Sequence, residues 1–313
     1  MKKNLKRRNF LLNTSMLLGS AGLGAYAGML QTNQRRDPEP PFLGEEFYLW
    51  DDDSPNNGSN PEYRPKVRLY YPSMRKKWYE GKKLPLVLIC PGGGYYIQAH
   101  HEGQPFAQLF AMHGIVGAVL TYRVNPDRYP AAYADAARAM RILRARADQY
   151  SLDSKRMGIM GFSAGGHLAS TLATQPELHM EPGDDLRDTY SARPDRLILG
   201  YPVISFTEHG HEGSARSILG ENPDPDMREQ LSNQKQVDRN TPPTFLFHVA
   251  DDKGVPVQNS LMFAEACLAN GVPVSLHVFP EGGHGVGMAL NHPGLRIWSE
   301  NLINWMGDWK MTM

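Results

Sequence analysis

The chain has 313 residues, 41% hydrophobic and 10% aromatic, so it can bury a large core in one domain even without an export segment, and a small crosslinked scaffold is excluded. Its 33 Lys and Arg are matched by 33 Asp and Glu, so no overall basic field exists to draw in nucleic acid or anionic lipid, and the expected partner is a small or neutral substrate. The two cysteines, Cys90 at the end of LPLVLIC and Cys267 inside NSLMFAEACLANG, read as buried apolar residues and not as a disulfide or metal pair.

Residues 1–27 read as an export signal: five basic residues precede a modest apolar stretch rich in Gly, Ala and Ser, and Ala25-Tyr26-Ala27 offers a cleavage site. Arg7-Arg8 followed by Asn9-Phe10-Leu11 resembles a twin-arginine signal, which places the mature protein in the periplasm or outside the cell. No cysteine follows the apolar stretch, so no stable membrane anchor is expected after cleavage; an uncleaved amphipathic anchor is the alternative. Residues 28–64 are polar and proline-rich around a short EFYLW segment and read as a linker and N-terminal extension. Their acid run, Asp51 to Asp53, lacks the alternating spacing and closing glutamate of a calcium loop and reads as a solvated turn.

The main domain is expected over residues 65–313. There, short runs mostly apolar on both faces (KVRLYYP, LPLVLIC, IVGAVLTY, RMGIMG, RLILGYP, TFLFHVA, VSLHVF) alternate with helical patterns (QPFAQLFAMHG, AAYADAARAMRILRARADQY, AGGHLASTLATQ, VQNSLMFAEACLANG, PGLRIWSENLINWMGDW). Such alternation predicts an α/β fold, a mostly parallel central sheet with helices on both faces. Residues 206–243 form a long connection rich in Pro, Asp, Glu, His and Asn, the kind of segment that builds lids or substrate walls.

Gly161-Phe162-Ser163-Ala164-Gly165 matches G-x-S-x-G between a strand-like and a helix-like run. A tight turn there projects one hydroxyl above the sheet, glycines on either side let neighbouring backbone approach, and the amides opening the helix face the place where an oxyanion would form. A serine nucleophile needs a base, and the base an orienting acid. His284, in EGGHGVG after the last strand-like run, combines a strand exit with flanking glycines. His113, His248 and His277 sit in or beside apolar runs; His167 lies on the helix after Ser163 with its ring pointing away; His179, His209, His211 and His292 fall in loops. Asp251 and Asp252 follow the preceding strand-like run; one is expected to face the base and the other solvent or a backbone amide, and the position of Asp252 four residues before Pro256 favours it. Upstream, Gly92, Gly93 and Gly94 follow the strand ending at Cys90, freeing backbone amides to converge on an anion.

With CPGGGY, HEGQPFAQ, GIMGFSAGGHLAST, GYPVISF, PPTFLFHVADDKGVPVQNS and GVPVSLHVFPEGGHGVG in view, the chain resembles the α/β-hydrolase superfamily, and more narrowly the exported, acetylxylan-esterase-like carbohydrate acetyl esterases. The PGGG loop is similar to the H-G-G-G loop of lipases and esterases, with Pro91 in the histidine place. The resemblance implies an α/β-hydrolase fold, Ser163 as nucleophile, Asp252 as acid, His284 as base, and the amides of Gly93, Gly94 and Ala164 as oxyanion hole. It departs from the pattern at Lys253 and Gly254, where more apolar residues are expected.

The function so implied is hydrolysis of O-acetyl esters on carbohydrate through an acetyl-enzyme, with no cofactor and no metal. Tyr95, Tyr96, Trp78 and the stretch His100-His101-Glu102 are candidate sugar contacts. The alternatives are a general short-chain carboxylesterase, a serine peptidase-like hydrolase of the same superfamily, and a catalytically dead binding module. A long-chain lipase would want a more apolar lid than the charged loop over residues 208–239.

Overall fold

The computed structural model describes residues 44–72, 81–178, 183–186 and 188–309. The proposed export signal, Trp78 and His179 lie outside the described residues. The elements follow one another as β1 (Glu45–Tyr48), β2 (Lys66–Tyr70), β3 (Leu84–Cys90), α1 (Gln104–Met112), β4 (Val116–Thr121), α2 (Ala131–Ala145), β5 (Leu152–Phe162), α3 (Ser163–Thr174), β6 (Leu197–Gly200), α4 (Glu212–Leu219), α5 (Pro225–Gln230), β7 (Thr244–Val249), α6 (Gln258–Ala269), β8 (Val274–Phe279) and α7 (Ile297–Trp305). Eight strands form one sheet in the order β1-β2-β4-β3-β5-β6-β7-β8. β2 runs antiparallel to β1 and β4, and every other pair is parallel.

The period-2 alternation of strand side chains divides the core between the two faces. Leu84, Leu86, Leu88 and Cys90 of β3 pack on one side with Leu143 of α2, Leu168 of α3 and Phe263 of α6. Val87 and Ile89 point the other way, to Phe106 and Phe110 of α1 and Trp298 and Leu302 of α7. Because both faces are covered, the central strands carry apolar residues at nearly every position, which is why they read as unbroken apolar runs. β8 pairs on one side only, and its residues stay partly exposed. Cys90 and Cys267 are buried free thiols, and burial pushes the Cys267 thiol up to about 12.

Two features differ from the sequence reading. The segment around EFYLW, expected to lie in an extension before residue 65, supplies β1, and the compact unit begins near residue 43. Trp50 is buried and its indole N–H donates to Asp135 at 2.9 Å, while Asp135 also receives Arg123 through its main-chain N–H and its guanidinium. One buried carboxylate thus holds this early segment to α2, a contact across 85 residues that local composition does not reveal. The long connection over 206–243 is not featureless: it holds α4 and α5, capped by His211 and Asp224. Among the described residues no helix is long and apolar enough to cross a membrane.

Candidate active site

Ser163 opens α3 directly after the last residue of β5, with φ of 49°, a left-handed conformation that a non-glycine residue adopts only under constraint. The constraint is visible at the flanking glycines. A Cβ on Gly161 would lie 2.0 Å from the Gly165 carbonyl oxygen, and one on Gly165 would lie 2.1 Å from the Cys90 carbonyl oxygen. The turn therefore closes only with glycine at both places. It leaves Ser163 7% exposed.

His284 stands on the loop after β8. Its Nε2 is 2.8 Å from Ser163 Oγ and its Nδ1 is 2.7 Å from Asp252 Oδ2. An ionised carboxylate only accepts, so Nδ1 carries the proton and Nε2 presents its lone pair to the serine hydroxyl. The other carboxylate oxygen of Asp252 accepts from the Gly254 and Val255 amides at 2.8 and 2.9 Å. Burial opposes the Asp252 charge, but contacts to His248 and His284, the charge of His284 and the Val255 amide outweigh it and hold the carboxyl well below the usual range. Asp251 instead is exposed and accepts from the Gly283 amide at 2.8 Å, bracing the loop that carries His284.

The loop after β3 lies against this turn: a Cβ on Gly92 would be 2.9 Å from Ser163 Cβ. The Gly92 amide is taken by Glu102 at 2.8 Å. No acceptor for the amides of Gly93, Gly94 or Ala164 is found among the described residues. Gly93 has φ of 122° and would bring a Cβ within 2.3 Å of the Ile97 carbonyl oxygen, so this loop too excludes a side chain. The site thus combines a hydroxyl, a ring nitrogen able to take its proton, a buried carboxylate behind that ring, and unengaged main-chain donors beside the hydroxyl. This set can form and break an acyl-serine.

Other expected residues take different places. Tyr95 is buried, with its hydroxyl 3.0 Å from His167 Nδ1, and Glu102 is buried beneath Gly92, so neither is free to touch a sugar. Tyr96, His100 and His101 are exposed. His167 donates from Nε2 to the Leu231 carbonyl and is turned away from Ser163. His211, expected at the surface, is half-buried; its Nδ1 accepts from the Ser214 amide, and burial first and His284 second lower its pKa. Sequence reasoning passed over His248 as a packed residue. It donates from Nε2 to Val255 O at 2.9 Å and lies 3.4 Å from Asp252 Oδ2, lining the acid from behind. Its placement one residue from the end of β7, four residues before Asp252, was the available signal. Among the described residues no cluster of three His, Cys, Asp or Glu could hold a metal ion.

A serine at a strand-to-helix turn, with an acid after β7 and a histidine after β8 of a mostly parallel sheet, defines an α/β hydrolase. Residues 69–267 match the BD-FAE family, a span that includes Ser163 and Asp252 and stops short of His284, and the chain belongs to that family. The chain is 38% identical over 214 residues to endo-1,4-beta-xylanase B of Butyrivibrio fibrisolvens, covering 66% of this chain and 33% of that one. It is 33% identical over 229 residues to an acetylxylan esterase of Xylanibacter ruminicola, covering 71% and 44%. The chain therefore spans between a third and a half of these curated relatives. A crystal structure of an acetyl ester-xyloside bifunctional hydrolase from Caldicellulosiruptor lactoaceticus superposes with a TM-score of 0.76 at 40% identity, covering 85% of this chain and 96% of that one.

Proposed function

We propose that the protein is a serine-dependent carboxylic ester hydrolase that removes O-acetyl groups from carbohydrate. The observation that carries the reading is the unbroken hydrogen-bonded chain from Ser163 Oγ through His284 to Asp252, at 2.8 and 2.7 Å. Likeness to a named acetylxylan esterase and to an acetyl ester-xyloside hydrolase supports acetyl and sugar as the two halves of the substrate.

In this reading Ser163 attacks the ester carbonyl while His284 Nε2 takes its proton. Asp252 keeps the ring in the required tautomer and stabilises the imidazolium. The amides of Gly93, Gly94 and Ala164 receive the oxyanion; losing one such donor typically costs about 3 kcal/mol in the barrier. His284 then protonates the departing sugar oxygen, and water, deprotonated by the same ring, releases acetate from Ser163. Export through the 1–27 signal belongs to the same proposal, since acetylated polysaccharide fragments are met outside the cytoplasm.

Acetate release from acetylated xylo-oligosaccharides is the test, alongside labelling by a fluorophosphonate that disappears in Ser163→Ala. Turnover of nitrophenyl acetate without release from any acetylated sugar would reduce the reading to a general short-chain carboxylesterase. Absence of labelling in the native protein would remove the serine mechanism altogether.

A further inference from the structure

Among the buried carboxylates that the mechanism leaves unused, one lies beside the site. Glu102, 2% exposed, sits in a short turn between the loop after β3 and α1. Its Oε2 accepts from the Gly92 amide at 2.8 Å and its Oε1 accepts from the Tyr201 hydroxyl at 2.7 Å. The Tyr201 hydroxyl oxygen in turn accepts from the Gly287 amide at 3.1 Å, and the Gly287 carbonyl accepts from the Trp298 indole at 3.1 Å. The path runs without a gap from the loop carrying Gly93 and Gly94 to the loop carrying His284. His101 next door makes a second tie, from Nε2 to the Gly285 carbonyl at 3.0 Å.

Two further observations separate this arrangement from ordinary core packing. Tyr201 has φ of 35°, a conformation a bulky aromatic adopts only when its surroundings impose it. The imposed conformation sets its ring edge-on to the His284 ring, with centroids 5.1 Å apart, while its hydroxyl reaches Glu102. Burial, then the charge of Glu102, push that hydroxyl well above the ordinary phenol range, so it stays a proton donor. The second observation concerns direction. Glu102 engages the Gly92 amide, and the two amides that follow, Gly93 and Gly94, have no acceptor among the described residues.

We propose that Glu102 and Tyr201 are positioning residues that lock the oxyanion loop and the histidine loop in one register, so that main-chain donors and base meet the same tetrahedral intermediate. The inference rests on the serine esterase reading above. Neither side chain touches substrate; each acts through the amides and the ring it holds. A shift of about 1 Å in such a site can cost about a hundredfold in rate.

The test is a double-mutant cycle on the full chain with nitrophenyl acetate, rates being normalised by fluorophosphonate titration of active sites. Glu102→Gln keeps the volume but puts an N–H toward one of two donors. Tyr201→Phe keeps the ring and removes the hydroxyl that both Glu102 and Gly287 use, and it serves if the first variant folds poorly. Each is expected to lower kcat by about 10- to 100-fold with KM within about threefold, and the double variant to be no worse than about threefold below the poorer single one. Affinity for a trifluoromethyl ketone, which forms an oxyanion on Ser163, should fall in parallel with kcat/KM. Purely structural roles would lower the melting temperature and leave kcat per titrated site within twofold; that result overturns the proposal, as would multiplying effects or a rise confined to KM. If native protein neither labels nor turns over ester, the esterase reading itself falls and this inference with it.

Discussion

Replacing Asp252 by Asn tests the site at its most constrained point. In the wild type one carboxylate oxygen accepts from two main-chain amides, Gly254 and Val255, and the other accepts from His284 Nδ1. An amide side chain can satisfy the two backbone donors only by placing its single oxygen there. Its NH2 group then faces Nδ1, and since two donors cannot pair, His284 must move its proton to Nε2. A ring protonated on Nε2 cannot take the proton of Ser163, only 2.8 Å away. The variant keeps the fold contacts and loses both the right tautomer and the charge that stabilises the imidazolium. A loss of about ten-thousand-fold in kcat is expected, about 5 kcal/mol in the barrier, with KM little changed. The assay is nitrophenyl acetate hydrolysis, with circular dichroism to verify folding. Asp251→Asn is the control: that exposed carboxylate accepts from the Gly283 amide, and a few-fold effect is expected. Retention of more than a tenth of the wild-type rate in Asp252→Asn, or a larger loss in Asp251→Asn, refutes the assignment.

Three further outcomes follow from the packing. Gly165→Ala would drive a methyl against the Cys90 and Pro91 carbonyl oxygens, 2.1 and 2.4 Å from the new Cβ, and should cost at least about 1–3 kcal/mol in urea unfolding; an unchanged midpoint contradicts the close approach. Asp135→Ala removes the buried carboxylate that receives both the main-chain N–H and the guanidinium of Arg123 and the indole of Trp50, and should destabilise by about 3–5 kcal/mol in the same assay. His167, pushed down by burial from 6.5 to about 4, binds fewer protons folded than unfolded between those values, so its stability contribution is present above about pH 6.5 and is lost as pH falls toward 4, by about 3 kcal/mol. Urea unfolding of the wild type should therefore weaken between pH 7 and 4.5 more steeply than that of His167→Gln, and equal slopes count against the buried neutral ring.

What could be read in the sequence was whatever a local pattern encodes. The apolar runs reported β3, β4, the second half of β5, β6 and β7 because strands covered on both faces cannot hide polar residues, and the glycine spacing around Ser163 reported a turn that only two bare Cα positions allow. β1 escaped because four residues of one-sided edge strand lie among acid and proline turns, and what fixes the segment, Trp50 on Asp135, is a contact 85 residues distant. α4 and α5 escaped because eight and six residues span only about two turns or fewer, too short to stand out in a polar stretch, their limits being set by caps at His211 and Asp224. Glu102 read as a candidate sugar contact because it follows two histidines in a polar stretch. Its partners, Gly92 and Tyr201, are 10 and 99 residues away, and only the fold makes it a buried acceptor.

The loop after β7 shows how a departure from a pattern can carry the physics of the site. Lys253 and Gly254 stand where apolar residues were expected. Asp252 closes its own turn by accepting from the amides two and three residues ahead, a local hydrogen bond that aspartate makes readily. That turn fixes which of the two neighbouring carboxylates faces inward and points its second oxygen at His284, with His248 behind it. The same turn brings residue 254 against the base: a Cβ there would lie 3.1 Å from His284 Cγ and 3.2 Å from its Cβ. An apolar side chain at 254 would press on the imidazole and move Nε2 off Ser163. Glycine at this position therefore leaves the ring room to keep its 2.7 and 2.8 Å contacts on either side, and Gly254→Val should lower kcat in nitrophenyl acetate hydrolysis while leaving the Asp252 turn intact.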